Sequence, residues 1–451
     1  MSHGGPDLAR IDQTPFEATI LDLSHDGRGV ARRPEGHPNA GKTVFIAGAL
    51  PGERVMARQT ARSRHFDEAE AVEVLEASPE RVPPRCPHFG TCGGCTLQHL
   101  AEDRQIVAKA RVLEENLARI GHVRPEAVLP PLAGPAWGYR RKGRFSVRRV
   151  EKKDRTLVGF RERDPRFVAE LRECHTVVPE IGFRIEALAA LVDSLDARRT
   201  IPQIEFCAGD QGVALVFRHL EPLGERDRAA LVDFARAEGF AIFLQPGGID
   251  TVAPLWPEEA PRLSFRLPRW DVELDFRPLD FIQVNAGLNQ AMVARALELL
   301  DVQPGERVLD LFCGLGNFTL PLGRVASGVV GVEGDAGLVA RARENAARNG
   351  MDHVSFHAAD LATDLTQEPW MRGGFDKLLL DPARAGALEV LKQLPLDGIK
   401  RIVYVSCHPG SLARDAGYLV NERGWRLVSA GVMDMFPHTA HVESIALFEP
   451  A

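Results

Sequence analysis

A cysteine at the end of a predicted strand is a candidate reactive residue in this sequence. Cys407 follows the apolar run Ile402–Val405, which predicts a buried parallel strand, and it precedes His408, Pro409 and a glycine. Such a strand end lies at the mouth of an open α/β sheet, where these folds bind ligands. The thiol there could be a nucleophile, or it could be a small buried hydrophobic residue, which is the commoner role of a free cysteine.

A glycine-rich loop upstream predicts a cofactor site. Val308–Phe312 predicts a strand that runs into Gly314 and Gly316, where the lack of a Cβ lets backbone amides approach a ligand. The next predicted strand ends at Glu333, nineteen residues beyond Gly314, which suits a carboxylate that binds a ribose diol. Thr319 replaces the third glycine of the dinucleotide fingerprint, so the loop suits S-adenosylmethionine, which has no diphosphate. The alternative is a tight βα turn with Glu333 exposed to solvent.

Three further cysteines have the spacing of metal ligands. Cys86, Cys92 and Cys95 form a Cys-x5-Cys-x2-Cys pattern interspersed with glycine, and Cys174 is a candidate fourth ligand. Four thiolates suit either zinc or an iron–sulfur cluster, and the spacing alone does not separate the two. The alternative is a set of reduced structural thiols without a metal.

Length and composition indicate a cytoplasmic protein of several domains. The 451 residues are 45% hydrophobic and 26% charged, which suits two or three domains that each bury a core. No run of about 18 apolar residues predicts a transmembrane helix. Met1–Pro15 holds no apolar stretch that could act as a signal peptide. We expect a cytoplasmic location, where thiols stay reduced, no membrane partner, no obligate protein partner and a monomer.

The charge distribution indicates a local surface for nucleic acid. The formal net charge is −7, which argues against a uniformly cationic nucleic-acid binder. Residues 137–172 nevertheless contain thirteen Lys and Arg against five Asp and Glu. A cationic face can neutralise phosphates, and Trp137, Tyr139 and Phe145 lie among these charges as candidates for stacking on bases. The alternative is an ordinary charge-rich surface.

The order of predicted elements gives three domains. Residues 1–77 contain short strands separated by Gly and Pro turns, typical of a small OB-like β-barrel. Residues 78–275 contain the cysteines and mixed strands and helices, which predicts a central α+β domain. A helix predicted over 101–120 in this domain is expected to pack on the third. Residues 276–451 alternate strands and helices, the pattern of a Rossmann-like α/β sheet.

Together these motifs resemble those of the RNA 5-methyluridine methyltransferase family, over nearly the whole chain. Asp22–Ala31 and Gly48–Glu53 resemble the family's TRAM barrel, and the four cysteines match its 4Fe–4S ligands in type and order. The catalytic domain is matched by short motifs that occur in the family's order: Phe281–Asn285, Asp310–Phe318, Asp381–Gly386, Ser406–Cys407 and His441–Ser444.

The resemblance implies cofactors and residue roles. The cofactors would be S-adenosylmethionine and a 4Fe–4S cluster in the central domain. Cys407 would be a nucleophile of low pKa that attacks C6 of uracil, and Glu443 would be the base that removes the C5 proton. The S-adenosylmethionine site would be lined by Gln283, Phe312, Asn317, Glu333, Asp360 and Asp381, and the cluster would be held by Cys86, Cys92, Cys95 and Cys174.

One residue departs from the family's pattern. The family usually has Asn after the nucleophilic cysteine, whereas this chain has His408, to which the sequence assigns no role. The combination of barrel and cysteines favours the family members that act on 23S ribosomal RNA. We therefore expect methylation of uridine C5 in 23S ribosomal RNA. The alternatives are a tRNA uracil-5-methyltransferase and an RNA-binding iron–sulfur protein without catalytic activity.

Overall fold

The computed structural model describes residues 13–259 and 261–451. The chain divides into two compact units. The first holds the described residues up to Lys109, together with residues 162–165 and 436–441, and the second holds residues 110–161, 166–435 and 442–451. Residues 1–12 of the expected first domain lie outside the described residues, and the three-domain division stays a prediction.

The first unit contains a small β-barrel. Its strands are β1 (Phe16–Thr19), β2 (Asp22–Leu23), β3 (Gly29–Arg32), β4 (Thr43–Ala47), β5 (Arg54–Arg62) and β6 (Phe66–Glu76), in the spatial order β1-β5-β6-β4-β3-β2. β1 and β2 follow each other directly, and the first pairs with β5 while the second pairs with β3. The sheet therefore closes on itself, and β4 and β6 form its parallel pair. The predicted barrel is confirmed.

Small side chains fill the barrel because a closed sheet of few strands has a narrow interior. The buried core is rich in alanine: Ala18, Ile20, Ala31, Val44, Ile46, Ala49, Val55, Ala57 and Ala69. A buried ion pair adjoins it. The fully buried Glu53 carboxylate accepts hydrogen bonds from Arg81 Nη2 and from the Leu50 amide, both at 2.8 Å. Burial alone would raise the pKa of Glu53, but these hydrogen bonds lower it below its usual value.

The predicted helix over 101–120 is present as α1 (Glu102–Asn116), followed by a π-helical turn, Leu117–Gly121. In the second unit this turn packs closely on a later helix, α9 (Pro409–Arg423). A Cβ on Gly121 would lie 2.4 Å from the Ala413 carbonyl oxygen, so only glycine permits this approach.

A mixed sheet forms the central part of the second unit. Its order is β13-β12-β11-β10-β8-β9, and a separate hairpin pairs β14 with β15. The strands are β8 (Lys142–Val150), β9 (Arg155–Gly159), β10 (Gln203–Gly209), β11 (Gly212–Arg218), β12 (Ala241–Gln245), β13 (Ala253–Trp256), β14 (Ser264–Leu267) and β15 (Val272–Asp275). The helices are α2 (Pro179–Gly182), α3 (Ile185–Ser194) and α4 (Glu225–Glu238). Both element types occur, as the α+β prediction requires.

An eight-stranded sheet completes the second unit, in the order β18-β17-β16-β19-β20-β22-β21-β7. Its strands are β7 (Ala127–Val128), β16 (Arg307–Leu311), β17 (Gly328–Glu333), β18 (Val354–Ala358), β19 (Lys377–Leu380), β20 (Arg401–Ser406), β21 (Trp425–Met433) and β22 (Glu443–Pro450). Its helices, besides α9, are α5 (Ala286–Leu300), α6 (Thr319–Gly323), α7 (Ala336–Arg348) and α8 (Leu388–Gln393). The strands from β18 to β20 are parallel, which confirms the predicted Rossmann-like sheet.

The sheet also has an antiparallel part that the sequence did not predict as such. β22 is antiparallel to both β20 and β21 and lies between them. The strand that begins at Glu443 therefore lies inside the sheet. Among the described residues, no helix combines the length and the apolar character that crossing a bilayer requires.

Candidate active site

The carboxyl ends of the parallel strands bring the predicted site residues to one edge of the sheet. Asp360, Glu333, Phe312, Asp381 and Cys407 lie at or just beyond the ends of β18, β17, β16, β19 and β20, in the spatial order of those strands. The chain runs outward from β16 to β18, then returns to the other side of β16 with β19. Ligands of open α/β sheets bind at such a switch in strand order.

The loop after β16 has an unusual backbone. Phe312 has a positive φ of 66°, and Gly314 and Gly316 have φ values of 55° and 93°. A left-handed conformation is uncommon for a phenylalanine, and such strain is concentrated at functional sites. The Glu333 carboxylate fixes the loop, because Oε2 accepts a hydrogen bond from the Gly314 amide at 3.1 Å. Its other oxygen accepts from the Asp335 amide at 3.0 Å.

Asn317 is held by a residue that the sequence did not reveal. The side-chain amides of Asn317 and Asn289, the latter buried on α5, donate to each other's oxygens, both at 2.9 Å. A reciprocal pair of this kind fixes the orientation of both amides. Nothing in the sequence signals it, since the two residues are far apart in the chain.

The other two predicted cofactor residues lie in different surroundings. Gln283 is half-buried, and its backbone carbonyl oxygen accepts a hydrogen bond from Arg141 Nε at 2.9 Å. Asp360 is exposed beyond β18, and its Oδ1 accepts from the Ala362 amide at 3.0 Å.

Two carboxyl groups near the loop lie in a setting that favours their neutral, protonated form. Asp310 is fully buried, its Oδ2 accepts from the Thr319 hydroxyl, and its Oδ1 is a buried atom without a hydrogen-bond partner. Burial raises the pKa of Asp310 to about 8, and Asp381 and Glu333 add to the rise. Burial likewise raises the pKa of Asp381 to about 7. A bound cation would favour the ionised form of both groups.

Cys407 and Glu443 lie at the same end of two paired strands. Ser406, the last residue of β20, pairs with Ser444 of β22 in antiparallel register. Cys407, which follows Ser406, and Glu443, which precedes Ser444, are therefore neighbours. The thiol is half-buried and Glu443 is buried. Burial, with the Glu443 and Asp381 carboxylates, raises the pKa of Cys407 to about 11.

The expected low pKa of Cys407 is therefore wrong for the protein without ligands. Two carboxylates disfavour the thiolate, and one cation opposes them. Arg384, exposed in the loop after β19, lowers the pKa of Cys407. The motif Asp381–Gly386 contained this arginine, but its sequence position alone did not reveal its proximity to the thiol.

His408 begins the helix that follows the nucleophile position. Its Nδ1 accepts a hydrogen bond from the Ser411 amide at 3.1 Å, which makes it the N-cap of α9. Asparagine is among the preferred residues at this position. His408 therefore supplies a cap of the kind that an asparagine there could also provide.

The four remaining predicted ligands lie in both units. Cys86, Cys92 and Cys95 are half-buried in the first, where the Gly94 amide donates to Cys92 Sγ at 3.4 Å. Cys174 is buried in the second, with its Sγ 3.3 Å from Thr176 Oγ1. Within residues 13–259 and 261–451, no group of three or more His, Cys, Asp or Glu side chains is arranged to hold a metal ion.

Two of the aromatic residues in the basic segment are not available for stacking. Tyr139 and Phe145 are buried in the core. The prediction that they lie on an RNA-binding face is wrong, because β8 directs Phe145 inward against Phe206. Cations of the segment are exposed to solvent nonetheless, among them Arg148, Lys152 and Arg172.

A doubly wound sheet with a glycine loop and an acidic strand end is the architecture of Rossmann-like cofactor sites, a class that includes the S-adenosylmethionine-dependent methyltransferases. The family model described as tRNA (Uracil-5-)-methyltransferase matches residues 269–450, and the TRAM domain model matches residues 14–72. The predicted TRAM barrel and methyltransferase domain are thereby confirmed.

Relatives of nearly the same length share most of the sequence. A protein named 23S rRNA (uracil(1939)-C(5))-methyltransferase RlmD, from Xanthomonas campestris pv. campestris, is 72% identical over 440 residues, which cover 98% of each chain. A protein of the same name from Stenotrophomonas maltophilia is 71% identical over 441 residues, again 98% of each chain. The chain belongs to the RNA uracil-5-methyltransferase family, as the resemblance indicated.

A solved structure supports the same fold. It is the Pyrococcus abyssi tRNA (uracil-54, C5)-methyltransferase in complex with S-adenosyl-L-homocysteine, with a TM-score of 0.72 and 26% identity. The match covers 96% of this chain and 99% of the other, so it extends into the residues of the barrel. A solved structure named for a tRNA substrate thus matches nearly the whole chain, so the fold does not by itself distinguish ribosomal RNA from tRNA as the substrate.

Proposed function

We propose that this protein transfers the methyl group of S-adenosylmethionine to C5 of a uridine in 23S ribosomal RNA. The observation that carries the proposal is the identity of 72% over 98% of the chain to relatives named for that reaction. An enzyme that modifies ribosomal RNA would act in the cytoplasm, and we propose that this protein does so as a monomer. A tRNA substrate is the second candidate, supported by the similarity to the archaeal tRNA enzyme.

The cofactor would bind along the edge that carries the glycine loop. Glu333 would hold the ribose hydroxyls, and Gln283, Phe312, Asn317, Asp360 and Asp381 would line the rest of the site. Burial raises the pKa values of Asp310 and Asp381, and a positive charge at this edge would favour their ionised forms. S-adenosylmethionine carries an electrophilic methyl on a positive sulfonium, so its charge and its chemistry both fit.

Cys407 would activate the uracil ring. C5 of uracil is a weak nucleophile, and attack by the Cys407 thiolate on C6 gives C5 the carbanion character that methyl transfer needs. The C6–S bond would form as the C5–C6 double bond opens toward an enolate, and C5 would then take the methyl as its bond to the sulfonium breaks, with neutral S-adenosylhomocysteine as the leaving group. The thiol must first lose its proton to water, and Arg384 together with the positive charge of the cofactor would favour the thiolate against the nearby carboxylates.

Glu443 would complete the reaction. After methyl transfer, C5 carries both a proton and the new methyl group. Glu443 would remove the proton, the C5–C6 double bond would re-form, and Cys407 would leave as a thiolate. Its burial beside Cys407 suits a carboxylate that acts without bulk water. The TRAM barrel and the exposed cations of residues 137–172 would hold the RNA, whose target base must leave its stack to reach the thiol.

A 4Fe–4S cluster held by Cys86, Cys92, Cys95 and Cys174 is part of the proposal. Its support is the chemistry of the donor set, together with the Gly94 amide, which donates to a sulfur as amides do around such clusters. The cluster would clamp the irregular chain around these cysteines. Anaerobically purified protein should contain about four iron atoms and absorb near roughly 400 nm. Colourless protein with stoichiometric zinc would refute this assignment.

Tritium release tests the proposed reaction. RNA that carries 5-tritiated uridine should lose tritium to water when it is incubated with the protein and S-adenosylmethionine. Cys407→Ala should release none while still binding the cofactor, whereas Cys207→Ala, which alters a buried thiol of β10, should retain activity. Incubation with separate 23S ribosomal RNA and tRNA transcripts decides the substrate. Full tritium release by Cys407→Ala would overturn the mechanism.

A further inference from the structure

The turn between β20 and α9 is held by a dense set of hydrogen bonds around one residue. The His408 amide donates to Ser406 Oγ at 3.1 Å, and the same hydroxyl donates to the His408 carbonyl oxygen at 3.0 Å. That carbonyl also accepts from Ser411 Oγ at 3.0 Å. Cys407 lies between these two anchored residues, so its backbone cannot move independently of them.

The imidazole of His408 adds the bond that begins the helix. The Ser411 amide donates to Nδ1, which requires an unprotonated Nδ1 and therefore a neutral ring with its proton on Nε2. α9 is fifteen residues long, and the first amides of a helix have no partner within the helix itself. The cap satisfies one of them and keeps the first turn wound directly beside the thiol.

We propose that His408 is a positioning residue for Cys407, and that its neutral imidazole does this by capping α9. The inference rests on the proposed function, in which Cys407 is the nucleophile. Without the cap, the first turn of α9 would unwind part of the time, and the thiol would leave the position opposite Glu443. The imidazole would act only through the N-cap and would contact no reacting atom, so any side chain that caps α9 equally well should replace it.

Asparagine is that side chain. Its Oδ1 can accept from the amide three residues on, as aspartate and asparagine caps do, whereas alanine offers no acceptor. His408→Asn and His408→Ala therefore separate the cap from the imidazole. A matched control is Asp227→Ala on α4, which removes two hydrogen bonds that its buried side chain accepts, from the Asp196 amide at 2.8 Å and the Ala197 amide at 3.0 Å.

The experiment measures how fast the full-length protein forms a covalent adduct with RNA. Uridine carrying fluorine at C5 has no C5 proton to lose, so the adduct between Cys407 and the methylated base accumulates. With saturating RNA and S-adenosylmethionine, His408→Ala should form it roughly five- to tenfold more slowly, as expected for a lost N-cap. His408→Asn should match the wild type within about twofold. The affinity for S-adenosylmethionine, measured by calorimetry, should be the same in all three.

The controls separate positioning from a general loss of stability. Asp227→Ala should lower the melting temperature but leave the adduct rate unchanged. An adduct rate in His408→Ala equal to that of the wild type would overturn the proposal. So would a His408→Asn variant as slow as His408→Ala, because the imidazole itself would then be needed. A wild-type protein that forms no adduct at all would instead refute the proposed function on which the inference rests.

Discussion

Burial and the Glu443 carboxylate together raise the pKa of the Cys407 thiol to about 11. In the protein without ligands, the negative charge of the proposed base thus disfavours ionisation of the proposed nucleophile. This makes chemical sense if the thiolate is needed only once the cofactor's positive charge is present, because an idle thiolate is readily oxidised.

The first prediction concerns the alkylation of Cys407 by iodoacetamide, followed by mass spectrometry of its peptide. Only the thiolate reacts, so the rate should rise about tenfold per pH unit from pH 8 to 10. Glu443→Gln removes a negative neighbour, lowers the pKa of Cys407 and should speed alkylation at pH 8 about three- to tenfold. Arg384→Ala removes the opposing cation and should slow it. A slower reaction in Glu443→Gln would contradict the electrostatic relationship.

The second prediction concerns the affinity for S-adenosylmethionine. The cation should bind the ionised forms of Asp310 and Asp381, whose pKa values are raised to about 8 and about 7. Lowering the pH from 8 to 6 protonates both groups, so binding should weaken by about tenfold and release protons at neutral pH. Calorimetry in two buffers of different ionisation enthalpy measures both effects. An affinity that does not change with pH would contradict it.

The third prediction concerns the stability of the ligand-free protein. The same carboxyl groups should make stability fall as the pH rises, whereas they make cofactor affinity increase. A carboxyl group whose pKa is raised on folding stabilises the fold below its unfolded pKa, near about 3.9, and loses that effect as the pH rises through the folded value. The melting temperature of the ligand-free protein should therefore fall between pH 6 and pH 8. Asp310→Asn should reduce this fall, because the amide keeps an acceptor for Thr319 and cannot ionise. An unchanged pH dependence in this variant would count against the raised pKa.

The fourth prediction concerns the Glu53–Arg81 pair beside the barrel. Glu53→Gln should lower the free energy of unfolding by about 1–3 kcal/mol, because a buried, charge-assisted set of hydrogen bonds is weakened. The pKa of Glu53 is lowered on folding, so its contribution is present above about pH 4.3 and is lost as the pH falls. Urea unfolding at pH 7 measures the loss. The exposed pair of Arg54 with Glu17 provides the control, and Glu17→Gln should change little.

The fifth prediction concerns the reciprocal pair of Asn289 and Asn317. Asn289→Ala releases the Asn317 amide from its fixed orientation, so the affinity for S-adenosylmethionine should fall by about three- to tenfold. The double variant should bind about as weakly as Asn317→Ala alone, because the only proposed effect of Asn289 passes through Asn317. Additive losses in this double-mutant cycle would show that Asn289 acts by another route.

The sequence predicted those features that depend on local pattern. The apolar runs of β16, β17, β19 and β20 give the parallel sheet, and the carboxyl ends of such strands must share an edge. That rule is enough to gather Glu333, Asp381 and Cys407 from distant parts of the chain. By contrast, β6 carries five acidic residues among its eleven, so an apolar pattern does not reveal how far it extends.

What the sequence could not predict depends on neighbours in space. The low pKa expected for Cys407 followed from its role as a nucleophile, but the structure raises this pKa through burial and through the Glu443 and Asp381 carboxylates, which other strands bring there. The charges around Phe145 suggested exposure, but the alternation of β8 buries it. His408 had no assignable role because capping depends on where Nδ1 lies relative to the Ser411 amide, which the residue type alone does not fix.

The closure of the N-terminal barrel has a consequence for its partners. Since β1 pairs with β5 and β2 pairs with β3, the two outermost strands of the described sheet are consecutive in the chain, and both are short. Short edges give another polypeptide little backbone to pair with, which limits edge-to-edge aggregation of the barrel. Contacts to nucleic acid must come from side chains and turns, so evolution can change which RNA is held by surface substitution without disturbing the fold.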